Sequence, residues 1–222
     1  MEANPEIYVC DDWVNCEVRN RSDIHAFGRI LQESGCWQDI IPGLDSIAVQ
    51  FDPARYTPEE ARNLFANLLQ QSPKSAPPPP SLIEIPICYD EEFGYDIERV
   101  SELLKRSSDE FMAWHSSLSF TVTMLGFMPG FAYLACNQTI PDIGRLDSPR
   151  QKVAAGSIGM IGVQGCIYPF DSPGGWPIVG RTPLSLFEPG KSPPNILQPD
   201  QAIRFTRIDH HQFDRIAKDH NS

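Results

Sequence analysis

The side chains best suited to chemistry lie in two stretches that carry almost no charge. Residues 111–141 contain no Asp, Glu, Lys or Arg, and His115 is their one group that titrates readily near neutral pH. Residues 153–180 contain a single charged residue, Asp171, and Arg181 follows directly. An imidazole can move protons, and a planar guanidinium can grip a carboxylate or phosphate through two parallel hydrogen bonds. With Gln164 and Tyr168 set among apolar residues, such a pair suits a pocket for a small anionic ligand. Two plainer readings stand beside it: a histidine at a helix end that serves as a structural hydrogen-bonder, and an arginine that pairs with a carboxylate.

Other motifs carry less. Gly156, Gly159, Gly162 and Gly165 recur every three residues. The β-branched residues around them and Pro169 just downstream leave no room for the helix a dinucleotide loop needs. The run therefore reads as a strand with bulges, approached closely by another backbone or by a ligand. Gly190-Lys191-Ser192 resembles the end of a phosphate-binding loop, but Ser185 stands where its first glycine belongs and Pro193-Pro194 bar the following helix; it reads as a turn. No Ser-His-Asp or Cys-His signature is local, and Cys166 reads as a buried thiol. The six cysteines form no C-x-x-C pair and no metal-ligand cluster, and they read as reduced thiols of a cytoplasmic protein. Glu91-Glu92 and Asp11-Asp12 read as solvated turns.

The elements that must position these residues fall into two modules. Consecutive prolines at 73–81 predict a semi-rigid linker of extended geometry. Before it, residues 1–72 show short strands at 7–10, 14–18 and 47–51, with one helix at 22–34 stopped by Gly35. A second helix is opened by Thr57-Pro58-Glu59-Glu60, a cap, an N-terminal proline and a capping-box glutamate. Two helices on a small antiparallel sheet predict an α+β sandwich of ferredoxin-like type. After it, a strand at 82–89 and two short helices, capped near Asp96 and Ser107, lead into many short apolar runs broken by Gly and Pro. That pattern predicts a closed β-barrel over 82–212, followed by a C-terminal tail at 213–222.

Composition excludes several function classes. With 18 Lys+Arg against 29 Asp+Glu, the net charge of −11 argues against broad binding to nucleic acid or anionic membranes. Residues 120–136 are too short and too broken by Gly and Pro for a spanning helix of about 20 residues. The first residues lack the pattern of a secretory signal.

Residues 125–134 (LGFMPGFAYL), 155–159 (AGSIG), 167–169 (IYP), 172–176 (SPGGW) and 180–184 (GRTPL) together resemble the carboxyltransferase-domain subunit 1 family, whose members include bacterial 5-oxoprolinase and allophanate hydrolase subunits and a sporulation kinase inhibitor. The match covers nearly all of 82–208 and is weaker before it. The resemblance implies an N-terminal α+β domain and a C-terminal cyclophilin-like barrel. It further implies ATP-dependent opening of 5-oxo-L-proline to glutamate, with a homologous second subunit and a third protein as partners, and Mg²⁺ accompanying ATP. On residue type and motif, His115 would transfer protons and Arg181 would hold the substrate carboxylate or a transferred phosphate. Gln164 and Tyr168 would hydrogen-bond the ligand, Phe131 and Trp176 would wall it, and Gly156, Gly174 and Gly175 would offer backbone N–H groups. Two other outcomes share the architecture: a regulator of a sensor histidine kinase, and a subunit hydrolysing a urea derivative.

Overall fold

Alternation of apolar and polar residues folds the start of the chain into a hairpin. β1 (Ile7–Cys10) and β2 (Trp13–Glu17) pair antiparallel, from Ile7 opposite Cys16 to Cys10 opposite Trp13. The computed structural model describes residues 6–18, 21–43, 45–71, 82–136 and 138–220. The chain divides into two units, Met1–Pro79 and Pro80–Ser222. The proline-rich segment expected to be a linker at 73–81 lies outside the described residues.

In the first unit α1 (Arg21–Ser34) ends at Gly35, whose φ of +62° is the left-handed stop a glycine permits. β3 (Asp39–Pro42) and β4 (Ser46–Gln50) follow, then α2 (Pro58–Leu69), which carries the full Thr57–Glu60 capping box. The sheet runs β1-β2-β4-β3, antiparallel throughout. Val14, Cys16, Ile47 and Val49 alternate onto one face and meet Ile24, Leu31, Ala61 and Phe65 from the helices. The α+β sandwich is therefore present, but its order is ββαββα and not the βαββαβ of a ferredoxin-like fold. The physical reason is local. Asp11-Asp12 make a two-residue turn, Asp11 adopting a φ of +51°, so β1 returns directly as a hairpin and does not cross over through a helix.

The second unit opens with β5 (Leu82–Cys88), α3 (Ile97–Leu103) and α4 (Ser108–Ser117), the last with its own Ser107–Glu110 capping box. β6 (Ser119–Leu125), β7 (Ala132–Cys136), β8 (Arg150–Val153), β9 (Ser157–Ile161) and β10 (Gln164–Ile167) come next. β11 (Ser172–Gly174), β12 (Ile178–Arg181), β13 (Ala202–Ile208) and α5 (His210–His220) complete the chain. Seven strands close a barrel in the order β10-β7-β6-β13-β5-β12-β9, while β8 and β11 form a separate two-stranded arm. Within the barrel β5 and β13 pair in parallel over their whole length. Residues 213–220, expected to be a tail, belong to α5: Phe213 is buried against Cys88 and Phe93, and Asp209 and Gln212 cap each other's backbone N–H.

The barrel core takes every second side chain. Leu134 of β7, Ile158 and Met160 of β9 and Ile167 of β10 point in and join Phe120, Phe205 and Ile85. Their neighbours Tyr133, Ile161 and Cys166 belong to a second cluster with Phe131, Val153, Tyr168, Trp176 and Ile178. A period of two thus gives this sheet an apolar outer face as well as an apolar core.

Candidate functional site

That outer face floors a cavity of about 300 Å³, at the small end of the ~300–1,000 Å³ that small-ligand sites span. Phe131, Tyr133, Tyr168 and Trp176 form its floor and sides, with Phe127, Pro149, Pro173, Gly174 and Gly175 around the rim. The aromatic rings brace one another: Phe131 meets Tyr168 edge-on at 5.0 Å and Tyr133 at 4.8 Å, and Tyr133 lies 6.3 Å from Trp176. Two glycines make the fit possible. A Cβ on Gly159 would sit 2.9 Å from both the Cys166 sulfur and the Trp176 Cβ, so only glycine lets Trp176 lie on the sheet. A Cβ on Gly174 would strike the Tyr168 hydroxyl. Burial is the main cause that raises both the Tyr168 phenol and the Cys166 thiol above their ordinary values, so both stay protonated at neutral pH. Cys166 is accordingly an inert thiol beneath the floor and not a nucleophile.

Five of the residues singled out from sequence meet here: Phe131, Tyr168, Gly174, Gly175 and Trp176. The other four do not line this cavity. His115 is buried within the second unit, 5.6 Å from Phe111, 5.6 Å from Phe120 and stacked on Phe205 at 5.1 Å, and its Nδ1 shares a hydrogen bond with the Tyr89 hydroxyl at 2.8 Å. Burial holds its imidazole down to about 3, so the ring is neutral and serves as packing. Arg181 lies at the far end of β12 from Trp176. Its guanidinium sits over the rings of Phe93 and Phe213, 5.7 Å from each, and its Nε donates to the Ala155 carbonyl at 2.7 Å. Gly156 is beside it: a Cβ there would collide with the Thr182 carbonyl, and its φ of +82° also requires glycine. Gln164 opens β10, at the opposite end from Tyr168. The expected meeting of His115 and Arg181 over one guest is therefore not what the cavity walls hold. The imidazole is drawn into the aromatic core and the guanidinium into a stack beneath α5.

The cation of the cavity is Arg145, which stands between the two charge-free stretches, four residues past the first, and so carries none of the isolation that marks His115 and Arg181. Its segment is fastened at two points just downstream. Leu146 N–H donates to the Gly175 carbonyl at 2.8 Å. Arg150 forks onto Asp96, both nitrogens at 2.9 Å, and lies 5.4 Å over the Tyr95 ring. Asp96 is buried and its Oδ2 also accepts from Ile178 N–H at 2.7 Å, which explains why it makes no side-chain cap on α3. The pair thereby ties the start of β8, five residues after Arg145, to β12, the strand that follows Trp176. The available signal for it was the Gly144-Arg145-Leu146 step inside a proline-bounded irregular stretch, where a charge in a loop held by a scaffold often serves a ligand.

Comparisons with known proteins agree with this architecture. The chain matches the carboxyltransferase domain, subdomain C and D, over residues 9–197. A Bacillus subtilis (strain 168) protein named as a 5-oxoprolinase subunit is 40% identical over 135 residues, which is 60% of this chain and 56% of that protein. An Escherichia coli O157:H7 protein of the same name is 34% identical over 167 residues, 75% of this chain and 76% of its own. The solved structure of a conserved uncharacterized protein from Pyrococcus horikoshii superposes with a TM-score of 0.56 at 33% identity, covering 94% of this chain and 100% of the other.

Proposed function

Because the chain belongs to the carboxyltransferase domain, subdomain C and D, family, we propose that it is a subunit of a cytoplasmic 5-oxoprolinase, working with a homologous second subunit and a third protein to open 5-oxo-L-proline to L-glutamate. The observation that carries this reading is the shared name of relatives that are 40% and 34% identical. The cavity supports it. A small, flat lactam suits a recess walled by four aromatic rings, and rings held by mutual contact present a surface whose order was fixed on folding.

The chain's own part is to bind, orient and dry the substrate. Amide resonance makes a lactam carbonyl a poor electrophile, so its position relative to an activating group decides the rate. Phe131 and Trp176 would hold the ring plane, and the protonated Tyr168 hydroxyl would hydrogen-bond the lactam.

The family resemblance implies magnesium–ATP. Among the described residues no group of three His, Cys, Asp or Glu side chains could hold a metal ion, and Mg²⁺ in such complexes is held by one or two carboxylates together with the nucleotide phosphates. Gly190–Ser192 is a turn in which Lys191 N–H donates to the Glu188 carbonyl at 3.0 Å, and Lys191 Nζ pairs with Glu188 at 2.7 Å. The nucleotide would be held within the assembly, and Gly190–Ser192 would take no part as a phosphate loop.

The test is to purify the chain with its two partner subunits and follow ATP-dependent release of glutamate from 5-oxo-L-proline. Turnover that requires this chain, and that falls roughly 10–100-fold in kcat/KM with Trp176→Ala, is expected. An assembled complex with no turnover on 5-oxo-L-proline overturns the proposal and favours the kinase-regulator reading.

A further inference from the structure

We propose that Arg145 is the anion anchor of the aromatic cavity and makes it a site for a small flat ring bearing a carboxylate, in preference to the same ring without one. This deepens the 5-oxoprolinase reading and rests on it for the identity of the ring. Three observations carry it. Arg145 lines the cavity, and the other residues that line it are aromatic, aliphatic or glycine. No ion pair occupies Arg145 among the described residues, although Asp142 and Asp147 flank it in sequence. The backbone just after it is held at two points, by Leu146 to Gly175 and by the Arg150–Asp96 fork, so the side chain starts from a backbone anchored beside the cavity.

The chemistry follows from those facts. A guanidinium is always charged and presents a planar fork that matches a carboxylate. A carboxylate seated among the aromatic rings of the cavity would lose part of its water there, so its pairing with Arg145 would be less screened than a pair in which both partners stand in open solvent. The positive charge already reaches the floor, where it opposes the burial that raises Tyr133, Tyr168 and Cys166. A flat ring lying on Phe131 and Trp176 would place a ring-bound carboxylate toward the rim, where Arg145 stands, and the ring's polar edge toward Tyr168.

The experiment uses the assembled complex and a probe that no hydrolase can open, pyrrole-2-carboxylate, beside its carboxamide. Binding is measured by calorimetry to wild type, Arg145→Gln and Arg145→Lys. The expected result is that Arg145→Gln weakens the acid about 10–100-fold, the loss of one charge-assisted pair, and leaves the carboxamide unchanged. Arg145→Lys, which keeps charge without the fork, is expected to fall between. Arg145 is exposed, so the variants should keep the wild-type melting temperature. Equal acid affinity in wild type and Arg145→Gln, or no binding of the acid to wild type, overturns the anchor. Turnover separates the two claims: a wild-type complex that opens 5-oxo-L-proline with an unchanged KM in Arg145→Gln leaves the function standing and removes the anchor. A complex that binds pyrrole-2-carboxylate through Arg145 yet never opens 5-oxo-L-proline does the reverse.

Discussion

His115 is a titratable side chain used as an aromatic wedge, and it makes stability depend on pH in a definite direction. Burial lowers its value from 6.5 to about 3, so between those limits the unfolded chain holds a proton that the folded one does not. Its contribution to stability is fully present above about 6.5 and is lost as pH falls toward 3, by up to about 1.4 kcal/mol per pH unit. Chemical denaturation at pH 7 and pH 5 checks this. The wild-type midpoint is expected to drop by more than that of His115→Gln, which removes the titration and keeps a partner for Tyr89; equal drops would show that His115 does not titrate this way. The same burial explains why residue type misled about chemistry. A lone imidazole in an uncharged stretch suggests a catalyst, yet Phe111, Phe120 and Phe205 solvate it as they would another ring. Arg181 misled for a related reason: its isolation in sequence suggested a ligand, and Phe93 and Phe213 supply its partners from 88 residues before and 32 residues after it.

At the scale of elements, the β8–β11 arm and the β9–β10 hairpin shape the cavity through backbone that lacks side chains. Gly174 lies against the Tyr168 phenol, and Tyr168 is hemmed in by Phe131 behind it. Gly174→Ala is expected to cost about 1–3 kcal/mol by overpacking and to weaken ligand binding at least tenfold, since the ring must leave its place. Gly190→Ala, whose Cβ would meet nothing within 4 Å, is the control and should match wild type in both calorimetric affinity and melting temperature. Much of this scaffold was legible beforehand because local rules governed it. The Thr57–Glu60 and Ser107–Glu110 boxes, the stop at Gly35 and the turn at Gly190 each depend on a few neighbours. Elements set by tertiary packing were not legible. β3 is four residues long and exists through its pairing with β4, and α5 is mostly polar, with Phe213 as its buried contact. The site divides the same way: its rings and glycines fell in recognisable strings, while its cation came from an irregular segment whose position is set by Asp96, 49 residues earlier.

At the scale of the whole molecule, each core draws its residues from one unit. Phe65 belongs to the first, with Val14, Ile47 and Ala61, and is fully buried. Phe65→Ala is expected to cost about 3–5 kcal/mol, and the loss should stay within that unit. Hydrogen exchange reads it out: amides of β2 and β4 should lose protection while those along β5 and β13 keep theirs, and matched losses in both would mean that the units unfold together.

The parallel pairing of β5 with β13 sets an order on how the protein can be made. Those are the opening and final strands of the barrel, so the seam stays open until the ribosome has released nearly all of the second unit, whereas the first unit is already complete in the emerging chain. A nascent chain halted before residue 202 would therefore carry a finished sandwich joined to an unsealed sheet whose bare edges on β5 and β6 invite chaperones or other strands.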